Sequence, residues 1–365
     1  MNPLPLHEFH DGLNARFAEV NGCEVVNDYG DVLAEHAALK NSAGALDLSF
    51  RGRVCLTGAD RVRLLNGQVT NNVKDLRVGQ GCYAALVTAK GKLESDLNVY
   101  ALENELLLDF EPGLTAAITQ RLEKYIIADD VQIVDAAPHY GLLSVQGPKS
   151  DAAVLALGLV LDLPAKPFQF VTVHDATLGE IYVMNHPRTG ASGFDLFVPV
   201  PALGAVMDKL IAAAKDAGGR ACGWQALEMA RIEAGIPRFG ADMDDTNLAP
   251  EAGIEERAIS YSKGCYIGQE VIARIRTYGQ VTKALRGLRL ADDLKALPVK
   301  GDKLFRDGKE VGYITSALAS PALKANIALG YVRKESNQIG IELVLKTAHG
   351  ESPAKIVDIP FVLNG

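Results

Sequence analysis

Apolar positions recur along this chain with two periods, close to 3.6 and close to 2, and the switches between them mark the elements. Positions 33–39 read as a short amphipathic helix and 53–56 alternate as a strand. Residues 59–65 return to helical period and stop near Gly67. Strand-like runs follow at 82–87, 93–102 and 105–110. Over 113–126 the residues Leu114, Ile118, Leu122 and Ile126 fall at intervals of four, one face of a helix. Strands are predicted at 131–134 and 140–145, and Pro148 stands where the first turn of a helix over 151–157 tolerates it. Three more strands, 169–173, 180–184 and 194–198, precede helices over 202–214 and 224–234. Gly218-Gly219 closes the first of these helices and Gly235 the second.

Residues 237–259 show little period and read as an extended connection over the surface. From 284 onward the chain is rich in strands. Asp307-Gly308, between 303–306 and 310–315, is a two-residue hairpin signal. Runs at 326–332, 341–345 and 354–357 complete a small β-barrel or sandwich. Strands and helices in this loose βαββαβ rhythm predict α+β layers, not a doubly wound parallel sheet. The 365 residues exceed a comfortable single core, so two or three domains are expected.

Composition removes several classes of function. Hydrophobic residues at 48% and charged residues at 22% describe a globular chain, not a disordered one. A net charge of −8 and a pI near 5.5 argue against a nucleic-acid partner. No run of eighteen apolar residues appears, and residues 1–10 lack a basic segment followed by an apolar one, so no membrane partner and a cytoplasmic location are expected. Gly79-Gln80-Gly81-Cys82-Tyr83-Ala84 spells G-x-G-x-x-A but precedes a strand, which defeats a dinucleotide reading. No P-loop, H-E-x-x-H or G-x-S-x-G sequence occurs. The five cysteines (Cys23, Cys55, Cys82, Cys222 and Cys265) form no C-x-x-C pair, which argues against a disulfide framework and a preformed zinc or iron–sulfur site. No metal ligands are assigned.

One stretch concentrates the candidate chemistry: Tyr261-Ser262-Lys263-Gly264-Cys265-Tyr266-Ile267-Gly268-Gln269-Glu270. The thiolate is the reactive form of cysteine, and a cation such as Lys263 would lower the thiol pKa. Gly264 and Gly268 permit turns that would hold the sulfur on an exposed loop. This segment resembles the Lys-Gly-Cys-aromatic-x-Gly-Gln-Glu signature of the YgfZ-type folate-binding proteins, in the superfamily of the glycine-cleavage T-protein. Further stretches resemble the same superfamily in order: Gly67-Gln68-Val69-Thr70-Asn71-Asn72-Val73, Ala89-Lys90-Gly91-Lys92, Gln146-Gly147-Pro148, Arg231-Ile232-Glu233-Ala234-Gly235 and Leu329-Gly330-Tyr331-Val332.

The resemblance implies a three-lobed ring. Two interleaved α+β (ferredoxin-like) lobes come from residues 1–285 and a C-terminal β-barrel from 286–365, with tetrahydrofolate in the central opening. It also implies roles. Asp195 is similar to the T-protein glutamate that grips the pterin, one carbon shorter, and Arg188 stands at that motif's tyrosine. Asp96 resembles the second aspartate of a pair that positions the attacking folate nitrogen; Ser95 replaces the first. Period-two alternation puts Glu94, Asp96 and Asn98 on one face of a strand, so a solvated face is the alternative for Asp96, as it is for Asp195. Arg231 would reach an inter-lobe carboxylate or a folate tail. Gln269 would tie down the cysteine turn beside the cofactor.

Three functions follow from this reading. The leading expectation is a tetrahydrofolate-binding accessory protein for iron–sulfur cluster assembly or repair, with Cys265 as the working thiol, Lys263 as its cation and iron–sulfur client proteins as partners. The alternative is a tetrahydrofolate-dependent aminomethyltransferase, in which Asp96 is central. The third is a folate-binding scaffold whose cysteine is structural.

Overall fold

The computed structural model describes residues 1–279 and 281–361. It is an α+β chain ending in a closed barrel. Its contacts divide it into two compact units, one formed by residues 1–84 and 96–230 and the other by 85–95 and 231–365. Residues 231–285 and the hairpin tip 85–95 fall in the same unit as the barrel strands.

The first unit holds two main sheets. One has six strands in the order Phe170–Asp175, Gly179–Asn185, Gly193–Pro199, Tyr140–Gln146, Gly44–Asp47 and Arg220–Ala221. The helices Ser150–Leu155 and Leu203–Asp216 share a core with it. On the longer helix Leu203, Val206, Met207, Leu210, Ile211 and Ala214 are buried, the three–four spacing of an apolar stripe. The other sheet has five strands in the order Gln80–Val87, Leu93–Ala101, Leu106–Phe110, Gly52–Thr57 and Gln132–Asp135.

Helix boundaries differ from the periodic reading where capping takes over. The helix Val32–Asn41 begins where Asp31 Oδ1 accepts from the Ala34 amide at 3.0 Å. The helix Thr115–Glu123 buries Ile118 and Leu122 but stops short of Ile126. Its last turn tightens through Tyr125 N–H donating to the Leu122 carbonyl and Ile126 N–H to that of Glu123, both at 3.0 Å. The N-terminal helix His7–Asp11 and the hairpin of Arg16–Val20 with Cys23–Asp28 had no periodic signal of useful length.

In the second unit the barrel closes through Lys283–Leu290, Ala325–Arg333, Lys309–Ser320, Lys303–Arg306, Glu342–Thr347 and Gly350–Val357. The Asp307-Gly308 turn holds both residues at positive φ, 51° and 75°, as a type I′ hairpin requires. The connection 237–259 does not run over the surface. Met243, Ala249, Ala252 and Ile254 are buried, and local bonds satisfy its backbone, among them Ala252 N–H to the Leu248 carbonyl at 3.2 Å. No helix among the described residues is long and apolar enough to cross a membrane.

Candidate active site

Asp96 lies on the strand Leu93–Ala101, beside the strand Gln80–Val87 that carries Tyr83. Tyr83 donates its hydroxyl to Asp96 Oδ2 at 2.8 Å. The carboxyl is only partly exposed; burial, with Glu111 nearby, pushes its pKa up to about 6, against the pull of Tyr83 and Arg51. The alternation along this strand holds at its start, but Asn98 is buried, so the face is not a solvated one. Asn98 pairs in register with Asp109 on Leu106–Phe110 and donates to its Oδ2 at 2.7 Å.

Asp109 is the hub. Arg51 Nε donates to its Oδ1 at 2.7 Å, while Arg51 Nη1 donates to Glu111 Oε1 at 2.6 Å. Arg188 Nη2 donates to Asp109 Oδ2 at 3.0 Å. Burial alone would raise the Asp109 pKa, yet the two guanidiniums hold it well below the usual carboxylate range.

Asp195 is fully buried on Gly193–Pro199. Arg188 clamps it: Nε lies 3.1 Å from Oδ1 and 2.9 Å from Oδ2, and Nη2 lies 2.6 Å from Oδ2. His186 Nδ1 sits 3.3 Å from Oδ2 and 2.8 Å from the Tyr100 hydroxyl. Burial and the Arg188 charge lower the His186 pKa to about 4, so this imidazole is neutral at pH 7. The Gln146-Gly147-Pro148 stretch supplies the support. Gln146 Oε1 accepts from the Arg188 amide at 2.9 Å, and its Nε2 donates to the His186 carbonyl at 2.9 Å. A Cβ on Gly193 would meet that Gln146 side chain at 2.1 Å, so a larger residue there would push the amide off these partners.

Asp195 and Arg188 thus belong to one largely buried cluster in the first unit, together with Arg51, Asp109, Glu111, Asn98 and His186; the half-buried Asp96, held by Tyr83, feels the charges of Glu111 and Arg51. Most of these joined residues had no sequence signal of their own. The exception is Asp109, an acid within the fully buried run Leu106–Phe110, where a charge demands a partner. Chemically, the site offers one carboxyl, Asp96, that titrates near neutrality beside Asp109, which its guanidinium partners hold in the ionised form, an arrangement suited to proton handling.

The remaining expected site residues lie in the second unit. Cys265 is exposed, as its turn predicts. Lys263 is buried, with its ammonium 4.9 Å from the centroid of the Tyr266 ring, a cation–π position. Gln269 opens the helix Gln269–Tyr278 and donates its amide to the Tyr266 carbonyl at 3.2 Å. Gly268 precedes it at φ +82°, and a Cβ there would meet the Thr88 carbonyl oxygen at 2.5 Å and Gly91 Cα at 3.3 Å. The cysteine signature therefore packs on the Ala89-Lys90-Gly91-Lys92 turn. Arg231 is committed within the second unit: Nη1 bonds Asp242, and Nη2 donates to Ser316 Oγ at 3.1 Å. That favours a structural role for Arg231 over contact with a folate tail. Among the described residues no group of three or more His, Cys, Asp or Glu is placed to hold a metal ion.

An α+β unit with a buried carboxylate–guanidinium cluster, and a second unit with a closed six-stranded barrel, define the class. The GCVT N-terminal domain matches residues 6–263 and the glycine cleavage T-protein C-terminal barrel domain matches residues 283–362, and the chain belongs to this family. It is 28% identical to the aminomethyltransferase of Halalkalibacterium halodurans, covering 100% of this chain and 99% of that one. It is 29% identical to that of Symbiobacterium thermophilum, covering 98% and 96%. Its fold is similar to the crystal structure of glycine cleavage system aminomethyltransferase T from Bartonella henselae, with a TM-score of 0.88 at 23% identity over 99% of this chain and 98% of that one. These full-length relatives carry the name aminomethyltransferase, so they overturn the expectation of an iron–sulfur accessory protein with its client partners. The comparisons favour the transferase alternative over it.

Proposed function

We propose that the protein is a tetrahydrofolate-dependent one-carbon transferase of the aminomethyl-transfer type. Relatives of that name align along the whole chain. The observation that carries the reading is Asp96, a half-buried carboxyl on the strand Leu93–Ala101, held by Tyr83 and with its pKa raised by burial to about 6. In its ionised form at pH 7 it would orient an attacking nitrogen and offset the positive charge that grows there during transfer. The reduced folate, when bound, would supply that nitrogen. Tyr83 fixes the carboxyl's direction, and the paired charges around Asp109 keep the neighbouring strands in place.

The fit is good at Asp96 and poor at Asp195, whose oxygens Arg188 already occupies. Within the family, the Lys263–Glu270 signature favours the YgfZ-type branch. The direct test is transfer from an aminomethyl-lipoyl carrier to tetrahydrofolate, followed as methylene-tetrahydrofolate. Activity in the wild type and its loss in Asp96→Asn are expected; a wild type inert with every aminomethyl donor while binding folate would return the scaffold reading to the front.

A further inference from the structure

Asp195, the carboxylate that the resemblance assigns to the pterin, already has a planar partner. A 2-amino-4-oxopteridine presents its ring N3–H and 2-amino group side by side on one carbon, a guanidine-like fork that a carboxylate accepts in parallel. Arg188 presents the same fork to Asp195, with Nε at 2.9 Å and Nη2 at 2.6 Å from Oδ2 and Nε also 3.1 Å from Oδ1. The edge between the two oxygens of one carboxylate takes only one such parallel fork at a time.

The comparison of strengths favours the arginine. Both forks would meet a carboxylate, but only the guanidinium brings a positive charge of its own, in an ion pair held at 2.6 Å. It is also anchored at three further points. Nη2 donates to Asp109 at 3.0 Å, the Arg188 amide donates to Gln146 at 2.9 Å, and the His186 amide donates to the Gly193 carbonyl at 2.8 Å, closing the loop that carries it. The side chain is only 10% exposed.

We propose that Arg188 is a specificity-determining residue: its guanidinium stands in for the pterin's donor edge on Asp195, so the wild-type site takes a reduced pteridine without reading its 2-amino group. This rests on the folate reading above and narrows it. The ligand class becomes the reduced pteridines as a group, whatever their substituent at C2.

The test compares tetrahydropterin with tetrahydrolumazine, which carries a carbonyl in place of the 2-amino group, by calorimetric titration of the full chain. The wild type is expected to bind the two within about threefold. Arg188→Ala is expected to prefer tetrahydropterin by about tenfold to a hundredfold, the value of a hydrogen bond to a charged group. Arg188→Gln keeps one donor near the cluster and serves if the alanine variant fails to fold, with a preference in the same direction. A tenfold preference in the wild type overturns the proposal without any variant. So does a folded Arg188 variant that binds both ligands equally. If neither the wild type nor the variants bind any reduced pteridine at millimolar concentration, the folate reading itself falls and this inference with it, a pattern distinct from binding without the predicted change in preference.

Discussion

The cluster around Asp109 and the turn that carries Cys265 depart from ordinary packing in opposite ways. In the first, charged side chains from Arg51, the strand Leu106–Phe110, the loop at Arg188 and the strand Gly193–Pro199 are buried and answer one another. In the second, ten consecutive residues build a local turn whose sulfur is exposed. A buried charge is tolerable only when paired, so each member of the cluster constrains the others. An exposed turn constrains mainly itself. Sequence signatures are therefore densest where structure is local, and the group with the stronger physical claim to chemistry is assembled from pieces far apart in the chain.

The sharpest way to break the cluster is to remove its hub. Asp109→Ala leaves two buried guanidiniums without their shared carboxylate, and the loss in unfolding free energy should be about 3–5 kcal/mol, measured by urea denaturation. A loss below about 1 kcal/mol would mean the network is wet and loosely held. Next in size is Asp96→Asn, with a drop in transfer rate of about 10²-fold. The wild-type rate should also show an acid limb near pH 6, where Asp96 gives up its proton, and the variant should lack it.

The same group makes a smaller prediction for stability, opposite in direction to the rate. The folded pKa of Asp96 is raised from 3.8 to about 6. Its contribution is therefore fully present below pH 4 and is lost as pH rises through 6, because the unfolded chain releases the proton first. Thermal melts of the wild type against Asp96→Asn between pH 4 and pH 7 should converge toward the acid end and separate toward neutrality, with the wild type losing ground. Separation in the other direction would show that Asp96 gains a cation in the folded state.

Much of the fold was legible because its elements are amphipathic and end in recognisable residues. Asp307-Gly308, Gly218 and the stripe on Leu203–Asp216 each report a local backbone requirement or one buried face. The connection 237–259 was misread because its burial depends on turns and polar partners that leave no period. Asp96 and Asp195 were visible as candidates from their resemblance to a known motif. Their alternative, a solvated face, was excluded only by partners from other segments: Tyr83, on a neighbouring strand, for Asp96 and Arg188, on a loop, for Asp195. Arg51, Asp109 and Glu111 illustrate the limit. A salt bridge across 58 residues of sequence has no periodic trace.

The smallest effects belong to the turn, and they separate its backbone from its sulfur. Gly268→Ala places a methyl against the Thr88 carbonyl at a positive φ, so it should cost about 1–3 kcal/mol of stability. Cys265→Ser exchanges an exposed thiol for a hydroxyl of similar size, touches no buried pair, and should change unfolding free energy by less than about 0.5 kcal/mol. Because the transferase reading places Asp96, and not this thiol, at the reacting nitrogen, aminomethyl transfer by Cys265→Ser should stay within about twofold of the wild type, under 0.5 kcal/mol of barrier. The pair of variants then asks what the signature is for. Loss of stability at Gly268 with full activity at Cys265 assigns it to holding the turn against residues 88–91. A tenfold fall in transfer for Cys265→Ser would instead make the sulfur part of the chemistry, and the cluster alone would no longer account for the site.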